Sequence, residues 1–488
     1  MSDRPNILLF VCDDLRFDAL GCMGDSVVQT PNLDRLAAEG ACFEQCHMPG
    51  GTSGAVCMPS RAMIHTGRSL FHIEREGQRM PDAHRTLGEH LKSVGYNTFH
   101  TGKWHNCRES LARSFDGGDE IFIGGMGDQW NMPLFHYDSS GKYDARLPRI
   151  QNPFHDKAVD HLAADHTSDG RHATEVFVDA ATGFLESRDR AVPFFLSIAL
   201  TAPHDPRSAP QKFHDLYDPG EIPLPANFTA QHPHNTGALP GVTSKGDRLI
   251  ARDESLADMP RRPDEIREHI ADYYAMISHL DHEFGRLRDA LERSEQWGNT
   301  IVVFTADHGL AVGQHGLLGK QCIYDHSVRV PLIMAGPGIP KGKRPEAMVL
   351  HFDLFRSICE LIDLEVPETV EGESLIQVWQ GGDGREFLYL AYARTIRGLV
   401  ESGYKLIEYA GPEGYRATQL FHLETDPKET FDLAHSPDHQ SRIESMRERL
   451  IEISLTNGDR ESEVGRVFWE WEEESLARRW TEDGGRCR

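Results

Sequence analysis

The sequence predicts an α/β fold, in which a large, mixed and mostly parallel sheet lies between helices. Several apolar runs are strand-sized and show no polar alternation, which is typical of strands covered on both faces. Helix-length segments lie between these runs, as in a βα architecture. Beyond about residue 374, short runs separated by Gly and Pro turns predict a smaller antiparallel sheet with a terminal helix.

Four apolar runs are the candidate strands of the main sheet, and each ends in a polar cluster. They are Asn6–Val11, Tyr96–Phe99, Phe194–Leu200 and Thr300–Phe304. The helices predicted between strands are Asn32–Glu39, Arg85–Ser93, Ala173–Glu186 and Pro263–Arg293. Ligands of such sheets bind beyond the carboxyl ends of the strands, so the four polar clusters predict one shared site.

The C-terminal segment forms a second predicted unit. Its candidate strands, followed by one charged helix at residues 440–453, are Phe387–Tyr392, Ile396–Val400, Tyr404–Tyr409 and Ala417–Leu423. We therefore divide the chain into a main domain, residues 1–374, and a C-terminal α+β subdomain, residues 375–488. Residues 139–169 and 219–263 are predicted to be long loops that shape a binding site.

Composition excludes two classes of partner. The 488 residues carry a net charge of −25, which disfavours nucleic acid. No run approaches the ~20 apolar residues of a membrane helix.

Nine cysteines without a CxxC pair suit reduced thiols. The charged N-terminus does not resemble a signal peptide, so the expected location is cytoplasmic, or periplasmic or secreted if a leader has been trimmed.

The segment Cys57-Met-Pro-Ser-Arg61 is the most specific motif in the chain. Pro59 suits the first position of a helix and Gly67 its end. Cys57 would then lie just before a helix N-terminus, where backbone N–H groups attract anions. From spacing alone, a low-pKa thiol or a structural cysteine is an equally good interpretation.

Cys57-x-Pro-Ser-Arg61 with the trailing Thr66-Gly-Arg68 resembles the signature of type I sulfatases, which belong to the alkaline phosphatase superfamily. Further landmarks follow in the family's order: Asp13-Asp14, Pro31-Asn-Leu-Asp34, Gly102-Lys-Trp-His105, Ala202-Pro-His204, Asp307-His-Gly309, Gly319-Lys320 and Arg329-Val-Pro331. The resemblance implies an alkaline-phosphatase-like fold and a sulfuric ester hydrolase. It also implies that a formylglycine-generating enzyme oxidises Cys57 to formylglycine.

Asp13 and Asp14 directly follow a candidate buried strand, where uncompensated carboxylates are costly. A solvated loop with a helix-capping role is the alternative. The resemblance implies that Asp13, Asp14, Cys57, Asp307 and His308 bind one divalent cation. Three carboxylates favour Ca²⁺, whereas the imidazole of His308 admits Mg²⁺ or Mn²⁺.

The resemblance also assigns catalytic roles to seven residues, with modified Cys57 as the nucleophile and Asp307 as the base that activates it. Arg61 would hold the modified residue, Lys103 the sulfate, and His204 and Lys320 the leaving oxygen. His105 would remove the proton that allows sulfate to be expelled.

We expect a carbohydrate sulfate as substrate, because residues 124–144 contain several aromatic and polar side chains: Trp130, His136, Tyr137, Asp138 and Lys142. An arylsulfate or a choline-type sulfate would also fit the chemistry. Within the same fold, a phosphonate monoester or phosphodiester hydrolase remains open, since His308 stands where many sulfatases carry Asn. Two interpretations from different classes are a metal-free cysteine hydrolase and a catalytically silent binding protein.

Overall fold

The computed structural model describes residues 4–150, 158–234, 253–254, 256–412 and 415–482. Within them the strands are β1 (Asn6–Cys12), β2 (Ala41–Phe43), β3 (Cys46–His47), β4 (Gly50–Gly51), β5 (Asn97–Lys103), β6 (Gly117–Phe122), β7 (Pro133–Leu134), β8 (Arg146–Ile150), β9 (Val159–Ala163), β10 (His166–Thr167), β11 (Phe194–Ala199), β12 (Thr300–Ala306), β13 (Ala311–Val312), β14 (Leu318–Gly319), β15 (Leu332–Ala335), β16 (Val349–Leu350), β17 (Phe387–Tyr392), β18 (Ile396–Glu401), β19 (Tyr404–Ala410) and β20 (Arg416–His422).

The α-helices are α1 (Pro31–Glu39), α2 (Cys57–Thr66), α3 (Leu87–Lys92), α4 (Arg108–Ser114), α5 (Ala173–Ser187), α6 (Gln211–His214), α7 (Pro263–Arg293), α8 (Asp325–Val328), α9 (Asp353–Leu361), α10 (Leu375–Trp379), α11 (Gln440–Ser454) and α12 (Glu463–Glu482). All four helices predicted between the strands of the main sheet are present, and α7 has the predicted bounds. None of the helices in the described ranges combines the length and apolarity that a membrane crossing requires.

The main sheet has the strand order β2-β15-β12-β1-β11-β5-β6. Neighbours from β12 to β6 are parallel, whereas β15 and β2 add antiparallel pairs at one edge. The whole of β1, β11 and β12 is buried, as expected when both faces of a sheet are covered. Helix α5 packs on β5 and β11, and α7 packs on α5 and α1. The predicted mixed α/β fold is therefore confirmed.

The C-terminal sheet has five strands in the order β20-β19-β18-β17-β4, and its four long strands match the prediction. The fifth, β4, comes from the main domain and pairs in parallel with β17. A second apolar core lies between this sheet and the last helices, with Leu406, Met446 and Trp469 among its buried side chains. The predicted helix is α11, whereas α12 was not anticipated. The division of the chain at residue 374 stays a prediction.

The prediction of a long loop at residues 139–169 is wrong in part, because short strands lie within it. Strands β8 and β9 pair antiparallel, and β10 pairs with β7. Apolar periodicity missed β9 because little of this strand is buried. Of the second predicted loop, residues 235–252 and 255 lie outside the described residues. The eight cysteines within the described ranges are free, in line with the expected reduced thiols.

Candidate active site

The four central strands bring their polar ends together. Backbone bonding continues past the strands, because Asp13 N–H donates to the carbonyl of Ala202 at 3.1 Å and Asp307 N–H to that of Cys12 at 3.0 Å. Asp13 and Asp14 therefore leave β1 beside Asp307 and His308, which leave β12. The sequence prediction that the polar clusters form one site is met.

Lys103 reaches this site because β5 bends just before it. Gly102 has φ +96°, and a Cβ at this position would lie 2.0 Å from the carbonyl oxygen of Ala199. The β5–β6 register also shifts between His100 and Gly102. A residue other than glycine would clash with the neighbouring strand here, so the glycine allows Lys103 to point towards the carboxylates of β1.

Cys57 is the first residue of α2 and almost fully buried. The helix begins two residues earlier than Pro59 suggested, which is within the usual spread of helix boundaries. It ends as predicted at Gly67, whose φ of +66° is left-handed. The Cys57 Sγ lies 3.1 Å from His308 Nε2, so the cysteine faces the residues that follow β12.

Three buried carboxylates face three buried cations across the site. Lys103 Nζ donates to Asp13 Oδ2, and Lys320 Nζ donates to Asp14 Oδ1 at 2.8 Å. The third pair joins the Arg61 guanidinium to Asp307, with Nε 3.0 Å from Oδ2. Each of the six side chains is at most 3% exposed. Arg61 Nη1 also donates to the Lys103 carbonyl at 3.0 Å and so connects α2 to the end of β5.

The donor set fits a divalent cation. Metal-competent atoms of Asp13, Cys57, Asp307 and His308 lie within 4.8 Å of one another, and those of Asp13, Asp14, Cys57 and His204 do so as well. Asp13 Oδ1 is buried and has no hydrogen-bond partner among the residues that the structure describes. An orphaned carboxylate oxygen at this depth is costly, and a cation would satisfy it.

The pKa of His308 gives a second indication that the site suits a cation. Burial alone would lower it, but the charges of Asp307, Cys57 and Asp14 outweigh burial and raise the pKa to about 10. The neighbouring negative groups therefore favour an additional positive charge at the position of His308. A bound cation would supply that charge and leave His308 neutral and able to coordinate.

His204 and Lys320 lie on either side of Asp14. His204 Nε2 is 3.8 Å from Asp14 Oδ2, and its Nδ1 is 2.8 Å from the carbonyl oxygen of Asp205. Burial lowers the pKa of His204, but Asp14 outweighs it and the pKa rises to about 9. Asp14 likewise holds the pKa of Lys320 well above its usual range despite burial. Both side chains are protonated and able to donate near neutral pH.

His105 differs from His204 and His308 because it is held neutral. Burial, reinforced by the positive charge of Lys103, lowers the pKa of His105 to about 2. Its backbone has φ +63°, and its ring lies against Gly125, where a Cβ would be only 2.8 Å from Nε2. The ring is therefore uncharged near neutral pH and, with Lys103 beside it, a weak base.

Three of the predicted sugar-contacting side chains of residues 124–144, those of Trp130, His136 and Tyr137, contact the protein itself. The Tyr137 hydroxyl donates to the carbonyls of Ala112 and Phe115, and Trp130 Nε1 donates to Ser208 Oγ at 2.7 Å. His136 pairs with Asp119 at the surface. The interpretation of these rings as a sugar platform is therefore not supported by their contacts, although the same loop does lie over His105.

All ten predicted site residues converge: Asp13, Asp14, Cys57, Arg61, Lys103, His105, His204, Asp307, His308 and Lys320. Two contributors were missed. Ser60 Oγ donates to the Asp307 carbonyl at 2.5 Å and lies 2.8 Å from His351 Nε2, so it fixes α2 against β12. The position of Ser60 between Pro59 and Arg61 in the motif was the available signal, whereas nothing near His351 marked it.

Comparison with known proteins points to the same conclusion. The sulfatase family model matches residues 5–364, and the model "N-sulphoglucosamine sulphohydrolase, C-terminal" matches residues 313–456. A sulfatase of Formosa agariphila is 28% identical over 93% of this chain and 88% of its own length. An N-acetylglucosamine-6-O-sulfatase of Bacteroides thetaiotaomicron is 25% identical, over 92% of this chain and 86% of its own.

Two solved structures show the same fold. One, solved in complex with its substrate D-glucosamine-2-N,6-O-disulfate, has a TM-score of 0.71 at 23% identity and covers 94% of this chain and 99% of its own. The phosphonate monoester hydrolase of Agrobacterium radiobacter also reaches 0.71, at 20% identity over 93% and 96%. The chain belongs to the sulfatase family of the alkaline phosphatase superfamily, and it is a sulfuric ester hydrolase.

Proposed function

We propose that this sulfatase cleaves a sulfate monoester of a carbohydrate, with formylglycine formed from Cys57 as the nucleophile. The observation that carries the proposal is the position of Cys57: it begins α2, is buried, and lies 3.1 Å from His308 within a cluster of three carboxylates and three cations. A sulfate monoester is a single anion, and the fixed positive charges here suit it.

The cluster would hold one divalent cation through Asp13, Asp14, Cys57, Asp307 and His308. Ca²⁺ is the expected ion because three of the ligands are carboxylates, and Mg²⁺ or Mn²⁺ would also match the mixed set. When bound, the ion supplies Lewis-acid stabilisation of negative charge on oxygen. The Arg61 guanidinium donates a hydrogen bond to Asp307 Oδ2, so this carboxylate keeps one orientation whether or not it has accepted a proton.

The basic residues would transfer protons at different steps of the reaction. A hydroxyl of the hydrated Cys57 aldehyde would give its proton to Asp307 and form the new bond to sulfur while the bond from sulfur to the ester oxygen breaks. His204 and Lys320, both protonated, are placed to donate a proton to the departing alcohol. His105 would take the proton of the second hydroxyl once the negative charge of the bound sulfate ester has raised its low pKa, so that the aldehyde re-forms as sulfate leaves.

The choice of a carbohydrate substrate rests on the relatives. The similar protein of B. thetaiotaomicron is named for an N-acetylglucosamine 6-sulfate, and the first of the two structures holds a sulfated glucosamine. We propose a sulfated amino sugar or a related saccharide as the first class to test. Aryl sulfates would serve as chromogenic substitutes. A panel that includes choline sulfate and a phenyl phosphonate would show whether a choline-type sulfate or a phosphonate ester is turned over faster than the sugar sulfate.

Mass spectrometry of the tryptic peptide from Leu36 to Arg61 tests the nucleophile. Protein made together with a formylglycine-generating enzyme should show the mass deficit of a thiol-to-aldehyde conversion at Cys57, located by fragmentation. Cys42 and Cys46 lie in the same peptide and should remain thiols, so they serve as internal controls. Full sulfatase turnover by protein whose Cys57 is entirely unconverted would overturn the proposed mechanism.

A further inference from the structure

A second group of metal-competent side chains lies between α5 and α7, away from the active site. His279 and Glu283 are one turn apart on α7, and Glu175 is in the first turn of α5. Their ligand atoms lie within 4.8 Å of one another. The i, i+4 spacing places the two α7 residues on the same face of that helix.

His279 is the informative member, because it is only 1% exposed and neither of its ring nitrogens has a hydrogen-bond partner within the described part of the chain. Its Nε2 lies 3.5 Å from Glu175 Oε1 and 3.9 Å from Glu283 Oε1. Hydrogen bonds from N–H to oxygen are shorter, at roughly 2.7–3.2 Å. In a tetrahedral site with bonds of ~2.0–2.1 Å, neighbouring ligand atoms are roughly 3.3 Å apart. The separations are therefore closer to those of ligands around an ion than to those of a hydrogen bond.

The surroundings fix this geometry. His279 stacks on Phe213 with ring centroids 4.8 Å apart. Glu283 Oε2 accepts a hydrogen bond from Arg286, 2.5 Å away, which leaves Oε1 directed at His279. Glu175 is about one-third exposed and gives an ion and a water molecule access from solvent. Lys212, which lies over the Phe213 ring, and Arg286 are nearby positive charges that oppose a cation.

We propose that Glu175, His279 and Glu283 bind one divalent transition-metal ion. Two carboxylates and one imidazole suit Zn²⁺ or Mn²⁺, whereas Ca²⁺ requires more oxygen ligands than these three side chains offer.

The ion would brace the scaffold of the active site and take no part in the chemistry. The His279 ring contacts that of His172, the residue before α5, with centroids 4.6 Å apart. His172 Nε2 is in turn 2.9 Å from the carbonyl oxygen of Ser208, which lies in the loop that carries His204. Metal binding would thus tie α5, α7 and this loop together.

Metal titration of the full chain tests the proposal, with Co²⁺ as a spectroscopic stand-in for Zn²⁺. The active site is first saturated with Ca²⁺, and Co²⁺ binding is followed by visible absorption and by native mass spectrometry. One further equivalent should bind with absorption bands typical of low coordination number. Glu175→Gln should abolish that equivalent, and so should His279→Gln. Glu186→Gln, on an exposed position of the same helix as Glu175, is the matched control and should bind as the unmutated chain does.

Thermal melts separate a lost site from a lost fold. Zn²⁺ should raise the Tm of the unmutated chain and of Glu186→Gln, and leave that of Glu175→Gln unchanged. Because Glu175 is partly exposed and the substitution is isosteric, the metal-free Tm of this variant should equal that of the unmutated chain. Absence of a Co²⁺ equivalent beyond the Ca²⁺ site, or its full retention in Glu175→Gln, would overturn the proposal.

Discussion

Gly125 lies against the His105 ring, so its replacement by alanine would displace that ring and test whether the histidine takes part in turnover. The added Cβ would lie 2.8 Å from His105 Nε2 and 2.9 Å from Cε1, whereas ordinary contacts begin near 3.4 Å. The ring must therefore move by about 0.6 Å. Gly125 does not have a positive φ, so alanine adds no backbone strain of its own.

A misplacement of ~1 Å can cost on the order of 100-fold in rate, so a shift of this size should lower kcat by about 10- to 100-fold. Since His105 is proposed to act after the ester bond has broken, KM should fall together with kcat, kcat/KM should change little, and the first turnover should survive. Rapid-quench measurement with an aryl sulfate should show a burst of about one phenol per active site, followed by slow turnover.

Two controls make the result interpretable. Gly183→Ala places a Cβ in open space on α5 and should leave kcat unchanged. His105→Gln should show the same burst with a larger loss of steady-state rate, of about 10²- to 10⁴-fold. If Gly125→Ala turned over at the unmutated rate, or if His105→Gln lost the burst together with the steady state, the assigned role of His105 would be wrong.

Three further variants address the metal, the leaving group and the fold. Asp13→Asn removes the carboxylate with the orphaned oxygen and should weaken Ca²⁺ binding by at least tenfold, measured by calorimetry; unchanged affinity would exclude Asp13 as a ligand. Lys320→Met should slow alkyl and sugar sulfates more than nitrophenyl sulfate, because a good leaving group needs no proton; equal losses on both substrates would contradict the assignment. Asp459→Asn breaks a buried pair with Arg397, whose Nε and Nη2 lie 2.7 and 2.8 Å from the carboxylate. This variant should lower the free energy of unfolding, measured in urea, by about 3–5 kcal/mol. The exposed control Asp438→Asn should leave it unchanged. Burial raises the pKa of Asp459, but the charge of Arg397 outweighs burial and lowers it. The stabilisation should therefore be complete above the unfolded pKa of ~3.9 and should disappear as the pH falls through the pKa of the folded state.

Much of the fold and of the site could be predicted because the informative residues follow long buried strands. The runs that become β1, β11 and β12 are apolar throughout, and the polar residues after them can only meet at one edge of a parallel sheet. The position of each site residue then depended on strand order, which the sequence does not contain. The residue roles came from motif resemblance, and the turnover measurements above test their chemistry.

The features that were missed share a physical cause: their pattern is too short or too polar to be recognised. β4 consists of Gly50 and Gly51, and two glycines carry no strand periodicity. β9 lies at the surface and is mostly exposed, so alternation gives no signal. Composition also could not distinguish a Tyr137 that faces substrate from one that packs against α4, because both need an aromatic ring with a hydroxyl.

The pairing of β4 with β17 has a consequence for the order of events during synthesis. β4 lies a few residues before Cys57, and its partner strand is made only after most of the chain has been translated. Once that pairing and the packing of α2 are complete, Cys57 is 3% exposed and no modifying enzyme can reach its thiol. On the proposed mechanism, oxidation of Cys57 must therefore come before the C-terminal sheet closes. A chain whose Cys57 had not been oxidised by then would keep its thiol and stay inactive unless it unfolded.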